Sequence, residues 1–137
     1  VDMDKEYIEV INRAKNHFKM KNLETMCIQI SEIEKKADIV CALSIIHWIY
    51  SCTDIFGSLD LIIEFLSKIT KEVIIIEWIE PKDEAINYFR HINFNKKYII
   101  DQYENGLFIE GLKKYFTSFE SIGYTRQHTR ELYICMK

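Results

Sequence analysis

The sequence predicts an α/β fold whose mostly parallel sheet ends in an antiparallel edge strand. Two observations support this. Short runs of β-branched residues alternate with stretches of helical periodicity, and the runs near the middle of the chain are apolar on both faces. The last two runs are joined by a connection that is too short for a crossover, so we expect them to pair antiparallel.

Helices are predicted at four places. The first spans Lys5–Lys19 with Asp4 as its N-cap, the second follows Ser58, the third begins at Pro81, and the fourth spans Leu107–Phe116. Apolar residues at helical spacing are expected to be buried in the first three: Tyr7, Ile8, Val10, Ile11, Ala14 and Phe18; Leu59, Ile62, Ile63 and Leu66; Ala85, Ile86, Phe89 and Ile92.

The predicted strands are the β-branched runs between these helices. They span Thr25–Ile30, Ala37–Ser44, Glu72–Trp78, Phe119–Thr125 and Arg130–Met136. The second and third are apolar on both faces, which is typical of strands in a parallel sheet covered by helices.

Composition limits the function classes. The 137 residues suit a single domain, with 48% hydrophobic and 28% charged residues and a net charge of -3. Without an excess of lysine and arginine, no nucleic-acid partner is expected. There is no signal peptide and no apolar run of about 18 residues, so we expect a cytoplasmic protein without a membrane span.

The cysteines predict neither a metal site nor a disulfide framework. None forms a CxxC pair, and no histidine stands at zinc-ligand spacing from them. Cys27, Cys41 and Cys135 lie in apolar runs, and we interpret them as small core residues in a reduced compartment.

Candidate functional residues follow the predicted strands, because ligands of open α/β sheets bind beyond the carboxyl ends of the strands. Asp2 and Asp4 either accept hydrogen bonds from ribose hydroxyls or cap the first helix. His47 is either a general base towards an acceptor hydroxyl or a structural histidine packed against Trp48 and Tyr50. Glu77 either orients a ligand or faces solvent.

Several catalytic motifs are absent. The sequence contains no GxSxG, P-loop, HExxH or GxGxxG, and no glycine precedes Gly57. A different nucleotide-binding α/β enzyme would need a phosphate-binding loop, and none is visible. Aromatic residues at Trp78, Tyr88 and Tyr103 either line an acceptor pocket or belong to the core.

Three segments together resemble a known family. Val1–Asp4 resembles an acidic strand end, Ala37–His47 resembles a "D-I-V … L-S-V-I-H-H" motif, and Val73–Pro81 resembles a fifth strand. These are features of class I, S-adenosylmethionine-dependent methyltransferases. Tyr103–Phe108 and Thr129–Tyr133 resemble stretches of the branch that includes nodulation-protein-like methyltransferases.

The resemblance implies a Rossmann-like sheet with strand order 3-2-1-4-5-7-6, in which strand 7 is antiparallel. It also implies S-adenosylmethionine as methyl donor and transfer to an oxygen, or alternatively a nitrogen, of a small molecule or glycan. The implied cofactor contacts are Asp2 at the ribose with Met3 beside it, Ile30 and Ser31 at the adenine, and Leu43 and Ser44 at the methionine end. His47 would face the acceptor.

The sequence departs from the family in two ways. The first strand and its glycine loop are missing from this chain. This predicts either a truncated domain, whose strands 2 and 4 leave edges open to homo-oligomer formation, or a rearranged sheet. Many relatives carry an aspartate where Ile30 and Ser31 stand. A non-catalytic methyltransferase-like module that binds a protein partner is therefore the alternative hypothesis.

Overall fold

The computed structural model describes residues 1–52, 55–86 and 102–137. Contacts divide the described chain into two compact units, Val1–Lys35 and Lys36–Lys137. The expectation of a single domain stays a prediction, and each unit is described by itself.

The first unit is built around helix α1, Lys5–His17. Asp4 is its N-cap as predicted, because the Asp4 carboxylate accepts a hydrogen bond from the backbone N–H of Glu6 at 2.8 Å. The predicted buried face is largely wrong. Ile8 is buried, whereas the other large apolar side chains of this segment are exposed: Tyr7, Val10, Ile11 and Phe18.

The predicted strand Thr25–Ile30 is reduced to one isolated bridge. Asp2 and Cys27 pair in parallel, with Asp2 N donating to Met26 O and Ile28 N donating to Asp2 O, both at 3.1 Å. The chain then turns into a short 3-10 helix, Ile30–Glu32. Cys27 is exposed, which corrects its interpretation as a core residue.

The second unit contains a four-stranded sheet within the described residues. Its strands are β1 (Ala37–Ala42), β2 (Thr70–Ile79), β3 (Ser118–Tyr124) and β4 (Arg130–Met136), in the order β1-β2-β4-β3. The pair β1–β2 is parallel, whereas β4 is antiparallel to both β2 and β3. The mixed α/β sheet and the antiparallel C-terminal pair are therefore confirmed. The prediction of an antiparallel edge strand is wrong, because the antiparallel strand β4 lies between β2 and β3.

The described residues of this unit include the helices α2 (Ile46–Cys52), α3 (Leu59–Ile69) and α4 (Asn105–Tyr115). The sequence did not predict α2. Ser58 caps α3 as predicted, accepting from Leu61 N at 3.3 Å, and the expected stripe is buried. Within the predicted third helix, Ala85 and Ile86 are described, whereas Tyr88, Phe89 and Ile92 lie outside the described residues.

The core lies against the α4 side of β2. Alternate residues of a strand share a face, and Ile74, Ile76 and Trp78 on one face of β2 are fully buried. Trp78 stacks on Phe108 of α4 and on Tyr103, with ring centroids 4.3 Å and 4.6 Å apart. Trp78 and Tyr103 are thus core residues.

β1 is more exposed than its composition predicts. Ile39 is 64% exposed and Cys41 is also exposed, which corrects the prediction that Cys41 is a core residue. Cys135, by contrast, is buried in β4 as predicted. The physical reason is position: within the described residues, β1 pairs on one side with β2 and stands at the edge of the sheet.

Candidate functional site

The register of β1 and β2 brings Ser44 and Glu77 together. Ala42 lies opposite Ile76 in the parallel pair, so the chain just beyond each residue emerges at the same edge of the sheet. The Ser44 hydroxyl donates a hydrogen bond to Glu77 Oε2 at 2.6 Å. Glu77 is 7% exposed, so the alternative that its side chain only faces solvent is wrong.

Ser44 adopts a left-handed backbone conformation, with φ of 50°. Such a conformation is unfavourable for residues with a Cβ atom and concentrates at functional sites. It turns the chain from β1 into α2. Leu43, which the resemblance places at the methionine end of the cofactor, is 52% exposed at this turn.

His47 is the second residue of α2 and is 4% exposed. Its ring lies 5.8 Å from that of Trp48, centroid to centroid. Burial lowers the pKa of His47 to about 4, and the positive charge of Arg130 acts in the same direction, against the opposing effect of Asp83 and Glu77. The imidazole is therefore neutral at pH 7, because its surroundings disfavour the protonated form.

The lowered pKa of His47 predicts a loss of stability in mild acid. The unfolded chain binds a proton near pH 6.5 whereas the folded chain binds it near pH 4, so stability is highest above pH 6.5 and falls towards pH 4. Between pH 6.5 and 5 we expect the free energy of unfolding to fall by about 2 kcal/mol. Urea unfolding at several pH values measures this fall.

The His47→Leu variant provides the control for this titration. Because the variant lacks the imidazole, its free energy of unfolding should change less between pH 6.5 and 5 than that of the unaltered protein. Parallel curves for the two proteins would show that His47 titrates normally in the folded state.

A buried ion pair, which the sequence analysis missed, holds the segment after β2 against the start of β4. Asp83, 5% exposed, accepts from Arg130 Nε at 3.0 Å, from Thr129 Oγ1 at 2.5 Å and from Ala85 N at 2.8 Å. The contact with Ala85 could have been predicted from the sequence. Asp83 stands two residues before Ala85 near the start of the predicted third helix, and aspartate is a typical helix cap.

The first unit places four of the predicted cofactor residues on two neighbouring segments. Asp2 Oδ1 accepts from Asp4 N at 2.9 Å, and within the described residues the other carboxylate oxygen accepts no hydrogen bond. Because the bridge to Cys27 is parallel, the residues after Asp2, starting with Met3, and those after Cys27 leave it in the same direction. Ile30 and Ser31 lie on the second of these segments, half-buried in the 3-10 helix.

Two classes of site find no support in the described part of the chain. It contains no group of three or more histidine, cysteine, aspartate or glutamate residues arranged to hold a metal ion. None of its helices combines the length and the apolar character needed to cross a membrane.

The strand order defines the class of fold. β1, β2, β4 and β3 occupy the places of strands 4, 5, 7 and 6 in the order that the resemblance predicts, with strand 7 antiparallel. This is an α/β fold of the class I methyltransferase type.

A solved structure shares this fold. The chain is similar to magnesium protoporphyrin IX methyltransferase (ChlM) from Synechocystis PCC 6803 with bound SAH, with a TM-score of 0.58 and 14% sequence identity. The similarity covers 94% of this chain and 57% of that protein, so the chain spans little more than half of its length. No protein-family model and no curated protein sequence matches the chain.

Proposed function

We propose that the chain belongs to an S-adenosylmethionine-dependent methyltransferase that acts on an oxygen, or alternatively a nitrogen, of a small molecule or glycan. One observation carries the proposal: the sheet shares its fold with a methyltransferase that has SAH bound, at a TM-score of 0.58 over 94% of the chain. The buried polar residues at the carboxyl ends of β1 and β2 stand where such sheets bind ligands.

The residues present fit this cofactor chemically. The ribose hydroxyls of S-adenosylmethionine can donate hydrogen bonds to a carboxylate. Its methionine end carries a positive charge on sulfur. We assign Asp2 to the ribose with Met3 adjacent, Ile30 and Ser31 to the adenine, and Leu43 and Ser44 to the methionine end. The assignment of Leu43 and Ser44 to the positively charged methionine end is supported by Glu77, a buried carboxyl group that accepts a hydrogen bond from Ser44.

His47 is the proposed general base. When bound, S-adenosylmethionine supplies a methyl group activated by the positive charge on sulfur. The neutral imidazole of His47 accepts the proton that the acceptor hydroxyl releases as its oxygen forms the new bond. Positioning of the two reactants supplies much of the rate in such a transfer.

Calorimetry with S-adenosylmethionine and S-adenosylhomocysteine tests the proposal, on this chain and on the full-length gene product. The Asp2→Ala variant is expected to lose about 1 kcal/mol or more of binding free energy, because hydrogen bonds from ribose to a charged group are lost. Asp4→Ala is the matched control. It removes a nearby carboxylate that caps α1, so it should alter helix stability and leave cofactor affinity unchanged.

The alternative is a non-catalytic module that binds a protein partner, and one observation favours it. Among the described strands none pairs with the outer edge of β1, where Ile39 is exposed, and unpaired strand edges are templates for pairing with another chain. If the full-length product binds neither cofactor form, the likeness is architectural and this alternative takes precedence.

Three further expectations belong to the proposal. The protein acts in the cytoplasm without a nucleic-acid partner, and the exposed edge of β1 favours a homo-oligomer. A monodisperse monomer in light scattering would contradict the expected homo-oligomer.

The resemblance to nodulation-protein-like methyltransferases stays a prediction. Two residues of its Tyr103–Phe108 stretch have a structural explanation, because both rings stack on Trp78.

A further inference from the structure

Two buried acidic side chains lie on β2 and just after it, and they differ in how their charge is balanced. Asp83 is neutralised within the chain by Arg130. Glu77 is 7% exposed and accepts one hydrogen bond, from the uncharged hydroxyl of Ser44. Across residues 1–52, 55–86 and 102–137, no lysine or arginine forms an ion pair with it.

The hydrogen bonds to Asp83 raise the pKa of Arg130 and the charge of Glu77 acts in the same direction, so Asp83 and Glu77 share one cationic neighbour. A buried carboxylate with no ion-pair partner of its own is unusual. Carboxylates are almost never buried unless they are paired, because removal from water costs several kcal/mol per ion. A single hydroxyl donor occupies one of the roughly four lone-pair sites of the carboxylate. The carboxyl group of Glu77 therefore keeps acceptor sites open, and these suit a positively charged ligand.

Glu77 also lies where open α/β sheets generally bind ligands. It lies at the carboxyl ends of the parallel strands, and its hydroxyl partner Ser44 is held in a left-handed conformation at the turn into α2. His47 follows on that helix. Burial and Arg130 lower the pKa of His47, and the negative charge of Glu77 opposes them, so Glu77 is near enough to influence the imidazole.

We infer that Glu77 balances the positive charge of the methyl-transfer reaction, first on the sulfonium of S-adenosylmethionine and then on His47. The inference rests on the proposed function and names the residue that selects the charged cofactor. Ser44 holds the carboxylate in place through its hydrogen bond.

The charge balance of the transfer supports this role. The bond between the methyl carbon and sulfur breaks and its electron pair stays on sulfur, while the acceptor oxygen forms the new bond to carbon. The acceptor proton goes to His47. Sulfur would become neutral and His47 would gain the positive charge, so a carboxylate that acts on both would keep a cationic partner throughout. S-adenosylhomocysteine has no charge on sulfur, so Glu77 would not attract it as it attracts S-adenosylmethionine. This difference would favour release of the product.

The experiment compares affinities for the two cofactor forms, because they differ at sulfur by a methyl group and one positive charge. Glu77→Gln keeps the shape and the acceptor for Ser44 while removing the charge. We expect its affinity for S-adenosylmethionine to fall about tenfold and its affinity for S-adenosylhomocysteine by less than about twofold, measured by calorimetry on the full-length product.

Glu80→Gln is the matched control. It removes the same charge three residues further along the chain, where Glu80 pairs with Lys82 at 2.7 Å, and it should leave the ratio of the two affinities unchanged. Ser44→Gly is a second variant, because glycine adopts the left-handed conformation without strain while the hydroxyl is lost. It should shift the ratio in the same direction as Glu77→Gln, by about threefold.

The outcomes separate the inference from the proposed function. If the unaltered protein binds neither cofactor form, the proposed function fails and the inference with it. If it binds both and Glu77→Gln weakens both equally or neither, the inference is wrong and the proposed function stands. If Glu77→Gln does not fold, an unchanged ratio in Ser44→Gly overturns the inference instead.

Discussion

Replacing Trp78 with alanine is expected to lower the free energy of unfolding by about 4 kcal/mol. The side chain is fully buried on the helix-covered face of β2, between the rings of Tyr103 and Phe108. Its indole N–H donates to the side chain of Asn105 at the start of α4. The substitution removes the ring contacts and the bond that fixes that helix, and it leaves a cavity.

Urea unfolding monitored by circular dichroism measures this loss. Trp78→Phe is the conservative variant, because it keeps an aromatic ring in the stack and loses the hydrogen bond to Asn105, so it should cost about half as much. Phe18→Ala is the surface control, since Phe18 is 70% exposed. If Trp78→Ala costs no more than Phe18→Ala, the stack does not stabilise the fold.

Replacing Asp83 with alanine is expected to cost about 3 kcal/mol. Breaking a buried ion pair by removing one partner costs about 3–5 kcal/mol, and the lower end applies because the Arg130 side chain is 22% exposed. Three groups lose their acceptor together: the Arg130 guanidinium, the Thr129 hydroxyl and the Ala85 amide.

The pH dependence identifies the ion pair as the cause. Burial raises the pKa of Asp83, but hydrogen bonds from Arg130 and Thr129 outweigh burial and hold the pKa below its usual value. The contribution of Asp83 is therefore complete above its unfolded pKa of about 4 and is lost as pH falls through the folded pKa. The difference between the unaltered protein and Asp83→Ala should shrink below about pH 4.

Asp38→Ala is the control for Asp83→Ala. Asp38 pairs with Lys71 at 2.8 Å on the surface, where both side chains are at least half exposed. Such pairs contribute about 0–1 kcal/mol. Equal losses for the two aspartate variants would contradict the role assigned to the buried pair.

The sequence predicts those parts of the fold that depend on local chemistry. Asp4 and Ser58 mark helix starts because their side chains accept from backbone N–H groups a few residues later. The pair β3–β4 is predictable because a short connection permits only antiparallel pairing. In each case the residues that determine the element lie close to one another in the sequence.

The sequence does not predict which apolar faces are covered. Thr25–Ile30 has the composition of a strand, but a strand needs neighbours to pair with, and one bridge to Asp2 is what forms. Cys41 lies in an apolar run, yet β1 stands at the edge of the described sheet and leaves Cys41 exposed. Apolar composition indicates that a residue can be buried, whereas long-range packing decides whether it is.

For the candidate site, too, the sequence predicts some features and not others. The strand-end rule identifies His47 and Glu77 as candidates from the sequence alone, and the family resemblance adds Ser44. Their partners depend on the register between β1 and β2, which sets Ser44 against Glu77 across 33 positions. The pair of Asp83 and Arg130 spans 47 positions and depends on how β4 docks on β2. No local pattern contains that information.

The place of β4 between β2 and β3 has a consequence for folding during synthesis. β3 and β4 are close in sequence and can form a hairpin on their own, whereas residues 80–129 separate β2 from β4. A ribosome must therefore make this whole intervening segment and then Arg130–Met136 before the second edge of β2 can pair. Until then the nascent chain leaves this edge of β2 unpaired along residues 74–79, and an open strand edge is the form of chain that chaperones protect from aggregation.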